Sequence, residues 1–225
     1  MTATENSLEA LRTAFAAGLD GVETDVQRTR DGVLVLHHDH HANDSGPIAS
    51  LDLTELRRAV PSLCTLSELF ELLAEFPKAV ANIEVKTDAP FEDERASELT
   101  AAIDRLPSTI RSRLWLSSFD PLMLLRLAAC EVAAPLAFLV SFEPALRLVP
   151  SLPLAAVHPH KSLVTAERIG SWRAAGLKVY TWTVNDRVSA GELLTLGVDG
   201  LIGDDPETLM TARSSFAGNS RAELG

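Results

Sequence analysis

The chain has 225 residues, 46% of them hydrophobic and 23% charged, an ordinary globular composition long enough for one large domain. Its formal net charge of -11 excludes the basic surface that nucleic-acid binding needs, so no nucleic-acid partner is expected. The two cysteines, Cys64 and Cys130, make no disulfide framework, and no apolar run reaches the ~18 residues of a membrane span.

Residues 7–17 predict a helix, with Leu8, Leu11 and Phe15 at helical spacing, Thr4 or Asn6 as its cap and Gly18 as its stop. A strand over 21–27 follows. Its side chains alternate, so Val22, Thr24 and Val26 share one face while Glu23, Asp25 and Gln27 share the other. Two carboxylates on one face repel unless a cation or donor stands between them, and Mg²⁺ or Ca²⁺ takes such oxygen pairs. Arg30-Asp31-Gly32 makes a turn into an apolar strand over 33–36, which ends in His37-His38-Asp39. On spacing alone, a salt-bridged surface strand followed by a polar loop explains this stretch equally well.

A polar loop over 42–47 precedes a short helix at 54–59. A clearer helix at 65–75 has Thr65 and Glu68 as a capping box and Leu66, Leu69 and Leu73 as its buried stripe. The strand at 80–87 repeats the polar-face pattern, with Asn82, Glu84 and Lys86 together. Beyond it come helices at 92–106, 121–129, 144–149, 165–175 and 187–196, strands at 113–118, 135–140, 155–158, 178–184 and 200–202, and a helix beginning at 206–213. Residues 214–225 read as a frayed polar tail. Roughly seven strands alternate with helices, too apolar for one wet face, which indicates a parallel sheet. No Gly-rich phosphate loop follows an early strand, which disfavours a doubly wound open sheet. Polar groups at the C-terminal ends of several strands favour an α/β barrel of the (β/α)8 type.

These residues resemble the glycerophosphodiester phosphodiesterase family along nearly the whole chain. Thr4-Glu5-Asn6-Ser7 with Ala14-Phe15 and Ala17-Gly18 is similar to its Pro-Glu-Asn-Thr stretch and first helix. Glu23-x-Asp25-Val26, Thr29-x-Asp31-Gly32 and His38-Asp39 resemble its central signature. Pro61-Ser62-Leu63, Glu84-x-Lys86, Ser118-Phe119, Trp182-Thr183-Val184-Asn185 and Gly197-Val198-Asp199-Gly200 through Asp204 continue it. The resemblance implies a single barrel domain over 1–213 that hydrolyses glycerophosphodiesters, small-molecule substrates, to glycerol 3-phosphate and an alcohol. Glu23, Asp25 and Glu84 would ligate Mg²⁺ or Ca²⁺, Lys86 would hold a phosphate oxygen, and His38 would act as general acid or base. An imidazole's ordinary pKa, about 6.5, suits proton transfer to a leaving alkoxide. Trp182 would line the substrate pocket, against the alternative of a core aromatic.

The chain departs from the family pattern in one large respect. The family's first strand ends in His-Arg-Gly, supplying a second acid–base histidine and a phosphate-binding arginine, and no such tripeptide precedes Glu5. The expectation is a barrel lacking its first strand, with translation starting upstream of Met1. A catalytically crippled relative that binds metal and phosphodiester without turnover is the alternative, and a lipid-directed phospholipase barrel ranks below both. Gly203, where the family often has Thr, is a smaller departure. Met1–Glu5 does not read as a signal peptide, so the sequence as written is expected to be cytoplasmic, without stable membrane insertion. His158 and His160, flanking Pro159 at a strand end, are more simply structural than functional. Glu5 is a candidate for a supporting role, and both cysteines are expected to be buried thiols.

Overall fold

Gly21–Arg28 forms β1 against Val80–Val85, β4, in a parallel ladder that runs from Gly21 opposite Val80 to Val26 opposite Val85. The ladder starts where it does because Gly21 has no Cβ: one built there would stand 2.7 Å from the Val80 carbonyl oxygen. The computed structural model describes residues 4–87 and 94–222, and these divide between Ala134 and Pro135 into two compact units.

In the first unit the helix α1, Leu8–Ala16, buries Leu11 and Phe15, and its cap is Ser7, whose hydroxyl accepts from the Ala10 N–H at 3.2 Å. Neither Thr4 nor Asn6 fills that position. β1 continues through a hairpin into the antiparallel β2, Leu34–Leu36, which pairs in turn with the two-residue β3, Cys64–Thr65. Thr29 ties the turn, donating to Asp31 Oδ1 at 2.6 Å and accepting from the Val33 N–H at 2.8 Å, while Gly32 takes the left-handed conformation (φ 82°). Val35, Ala42, Ile48, Leu56 and Leu63 make a small core under the hairpin.

Helix α2, Leu53–Ala59, and α3, Leu66–Glu75, both open with complete capping boxes, Asp52 with Glu55 and Thr65 with Glu68. Then come α4, Arg95–Asp104, the short α5, Ser108–Arg111, β5, Leu114–Ser118, which lies parallel to β4, and α6, Pro121–Ala129. The predicted start of the fourth helix, at residue 92, falls outside the described residues.

The second unit runs β6, Leu136–Val140; β7, Ala156–Pro159; α7, Ala166–Ala174; β8, Lys178–Thr181; α8, Arg187–Leu196; β9, Gly200–Leu201; and α9, Pro206–Ala222. Its strands are parallel in sequence order. The segment expected as a helix at 144–149 is a 3-10 helix, Glu143–Ser151; Pro144 sits in its first turn, where no N–H is needed, but Pro150 inside it has none to give to an α-helical hydrogen bond. The last helix passes Arg213 and continues to Ala222, where the sequence predicts a tail from 214. Gly203 has a steric reason: a Cβ there would overlap the Val184 carbonyl oxygen, so a threonine does not fit this backbone. Of the cysteines, Cys64 is buried, which pushes its thiol up to about 12, whereas Cys130 is only half-buried.

His158 is the unusual core residue of this unit. It is 2% exposed, packs edge-on against Tyr180 with ring centroids 5.3 Å apart, and among the described residues neither ring nitrogen has a hydrogen-bond partner. Burial lowers its pKa from 6.5 to about 3. A histidine held neutral in the fold stabilises it above the unfolded pKa, and that contribution is lost as pH falls from about 6.5 towards about 3. Linkage sets the loss at about 2 kcal/mol between pH 7 and pH 5. Urea unfolding of His158→Leu should therefore show a flatter stability-versus-pH curve in that window than the parent protein; equal slopes would mean that His158 does not stay neutral in the fold.

Candidate functional site

The β1–β4 register sets Asp25 opposite Glu84 and Glu23 opposite Asn82, and alternation along each strand turns all of these to one face. One carboxylate oxygen each from Glu23, Asp25 and Glu84 lie within 4.8 Å of one another. Asp25 and Glu84 are 5% and 7% exposed, so their repulsion is not dissipated by solvent. Lys86 answers it: its Nζ stands 2.9 Å from Asp25 Oδ1 and 2.9 Å from Glu84 Oε1.

Burial alone would lower the Lys86 pKa, but the attraction of Asp25 and Glu84 outweighs it and holds the ammonium above its ordinary value. At Glu84 burial is the larger effect. It raises the carboxyl above the usual range, Asp25 adds to the rise, and Lys86 and His38 oppose it.

Asn6 completes the support of Asp25. Its amide nitrogen donates to Asp25 Oδ2 at 2.9 Å, and its amide oxygen accepts the Asp25 N–H at 3.0 Å and the Thr24 hydroxyl. Asn6 holds a left-handed backbone (φ 55°), a conformation that asparagine tolerates better than most residues. By sequence, Asn6 reads only as a cap and Glu5 as the supporting residue, whereas Glu5 is exposed. Nothing local in Thr4-Glu5-Asn6-Ser7 distinguishes the two, because the contact depends on the chain returning past β1.

His38 lies on the loop after β2, with its side chain 55% exposed and its Nδ1 3.0 Å from Asp39 Oδ1. That hydrogen bond holds the Asp39 carboxyl below its usual range. Asn82 donates to Ser117 Oγ at 2.9 Å, which extends the polar face onto β5. The structure thus brings Glu23, Asp25, Glu84 and Lys86 together, with His38 on the adjoining loop. Trp182 belongs to the second unit, where its indole N–H donates to the His158 carbonyl at 2.8 Å and its ring meets His160 edge-on at 5.2 Å.

Three carboxylates and a lysine at the C-terminal end of a parallel ladder make a donor set for a hard cation and an anionic ligand. Residues 1–208 match the glycerophosphoryl diester phosphodiesterase family model, and the chain belongs to that family. It is 28% identical over 223 residues to a glycerophosphodiester phosphodiesterase from Caldanaerobacter subterraneus subsp. tengcongensis, an alignment that covers 92% of this chain and 90% of the relative. Its fold is similar to that of an Oleispira antarctica phosphodiesterase solved with its product sn-glycerol-3-phosphate (TM-score 0.78, 24% identity, 95% of this chain and 92% of that one). The Thermotoga maritima glycerophosphodiester phosphodiesterase is another fold relative (TM-score 0.75, 24% identity, 94% and 92% covered). The α/β fold class is the expected (β/α)8-barrel class. Among the described residues no helix is long and apolar enough to cross a membrane.

Removing Lys86 strands two buried carboxylates. Lys86→Met should cost about 3 kcal/mol in urea unfolding, the low end for breaking a buried ion pair, because Glu84 can take up a proton instead. In a Glu84→Gln background the same substitution should cost clearly less. Equal costs in both backgrounds would show that Lys86 and Glu84 are not energetically paired.

Proposed function

We propose that this chain hydrolyses glycerophosphodiesters to glycerol 3-phosphate and an alcohol with the help of a divalent cation, Mg²⁺ or Ca²⁺. The observation that carries the reading is the meeting of three carboxylates and a lysine at one end of the β1–β4 ladder, in a chain of this family. The donor chemistry fits a hard cation: all three groups are carboxylates, and they outnumber the single ammonium among them. Glu23, Asp25 and Glu84 would hold it, and it would supply Lewis-acid polarisation of the phosphoryl oxygens.

The remaining work falls to the chain's own residues. Lys86 offers its ammonium to a non-bridging phosphate oxygen. Asp25, fixed from both sides by Asn6 and Lys86, keeps that ammonium in place. His38 gives a proton to the alcohol oxygen as its bond to phosphorus breaks, while water adds its oxygen to phosphorus and releases a proton to solvent, from which the imidazole is reprotonated for the next turnover. Asp39 keeps the imidazole ring oriented. A substrate-lining role for Trp182 rests on the family resemblance alone.

Ca²⁺ or Mg²⁺ in excess should raise the thermal midpoint, because a ligand that binds only the folded state stabilises it. Glu84→Gln should abolish most of that rise, and identical melting curves in EDTA and in Ca²⁺ would remove the cation site. His38→Ala should lower glycerophosphocholine turnover about 10²–10⁴-fold with little loss of stability. An undiminished His38→Ala variant would take His38 out of the reaction. Cation binding without any turnover of glycerophosphocholine would favour the crippled relative.

A further inference from the structure

Gln27 ends the polar face that Glu23 and Asp25 begin on β1, and it is 1% exposed. Its amide nitrogen lies 2.8 Å from the carbonyl oxygen of His37, 3.3 Å from that of His38 and 2.6 Å from that of Asp39. Three consecutive carbonyls thus converge on one nitrogen that carries two hydrogens. Carbonyl oxygens gathered this closely repel one another, and a buried acceptor left without a donor costs about 1–3 kcal/mol. The loop after β2 is therefore folded around the Gln27 amide.

What that loop carries is His38. The Asp39 carbonyl that Gln27 holds most closely also faces His37 Nδ1 at 2.9 Å, and the His37 N–H donates to the Asp25 carbonyl at 2.9 Å. The side chain of Asp39 meets His38 Nδ1. One strand, β1, thereby presents Glu23 and Asp25 and, two residues further, the amide that fixes the backbone of His38 and Asp39.

We propose that Gln27 is a positioning residue: by binding the three carbonyls it sets where the His38 ring stands relative to Glu23, Asp25 and Glu84, without itself touching substrate. The proposal rests on the reading of His38 as the acid–base group. Its chemical requirement is a donor at this place, not an amide as such. Gln27→Met keeps the length and removes the donors. Gln27→Lys reaches one atom further and offers three N–H groups to the three carbonyls.

The test uses the 225-residue protein. The ring nitrogen signals of His38 are followed by ¹H–¹⁵N correlation NMR, assigned with His38→Ala, beside the Ca²⁺-induced midpoint shift and steady-state kinetics. Gln27→Met should move the His38 ring signals and lower kcat about 10–100-fold with KM changed less than about twofold, the scale of a misplaced catalytic group. It should keep the parent's Ca²⁺ response, since the carboxylates stay in place. Gln27→Lys should return the His38 signals and most of kcat.

Parent-like His38 signals in Gln27→Met would overturn the proposal. So would equal impairment of the Met and Lys variants, which would make the residue a matter of packing alone. Should Ca²⁺ leave the midpoint unmoved and His38→Ala remain active, it is the reading of the site that fails. The NMR comparison of the Met and Lys variants still decides whether Gln27 holds the loop.

Discussion

Like charge gathered in a dry place is the constraint around which the first unit is built. Glu23, Asp25 and Glu84 come together because two parallel strands stand in a register that sets one acidic face against the other. Left alone, buried carboxylates at this separation would take up protons or push the strands apart. Lys86 prevents this by bridging Asp25 and Glu84, and it can do so only because it follows Glu84 by two residues and so returns to the same face. Asn6 then ties Asp25 from the other side, which links the start of α1 to the second residue of the cluster. The raised carboxyl of Glu84 shows that compensation is incomplete, since burial there outweighs the nearby ammonium.

The parts of this arrangement that follow a period of two are legible in the sequence. Glu23-x-Asp25-x-Gln27 and Asn82-x-Glu84-x-Lys86 announce two polar-faced strands by alternation alone, and both strands form. The contacts made by Asn6 are not legible, because they depend on a left-handed backbone and on a return of the chain across eighteen or more residues. Gln27 is legible as a member of the face but not as the anchor of a loop, since its partners are main-chain oxygens and carry no sequence signal. The two-residue β3 and the four-residue α5 escape for a simpler reason: neither is long enough to show a repeat. Helix α9 runs past its predicted end because its polar second half lacks the apolar stripe by which a helix is recognised.

In the second unit the deviations from expectation trace to residues that withhold a group. Pro150 withholds an N–H donor, and Glu143–Ser151 takes the tighter 3-10 path. Gly203 withholds a Cβ, and the backbone beyond β9 passes close to the Val184 carbonyl. This approach also sets Asn185 against Asp204: the Asn185 amide donates to Asp204 Oδ2 at 2.7 Å and accepts the Asp204 N–H at 2.7 Å. The departure from the family's threonine is thus accounted for by backbone approach, without appeal to chemistry at the site.

An acidic protein that handles an anionic phosphodiester has to create its own patch of attraction, and the chain as a whole, at -11, works against it. Counted formally, three carboxylates and one ammonium sum to -3 + 1 = -2 in the cluster. That is the charge a divalent cation offsets, which gives a physical reason for the proposed cofactor to be divalent. With the cluster so neutralised, an incoming phosphodiester would no longer meet net negative charge there, and the Lys86 ammonium could turn an N–H group to a phosphate oxygen. The same lysine therefore serves two ends: it makes the carboxylates tolerable within the fold, and in the proposed reaction it offers an N–H group to the phosphate.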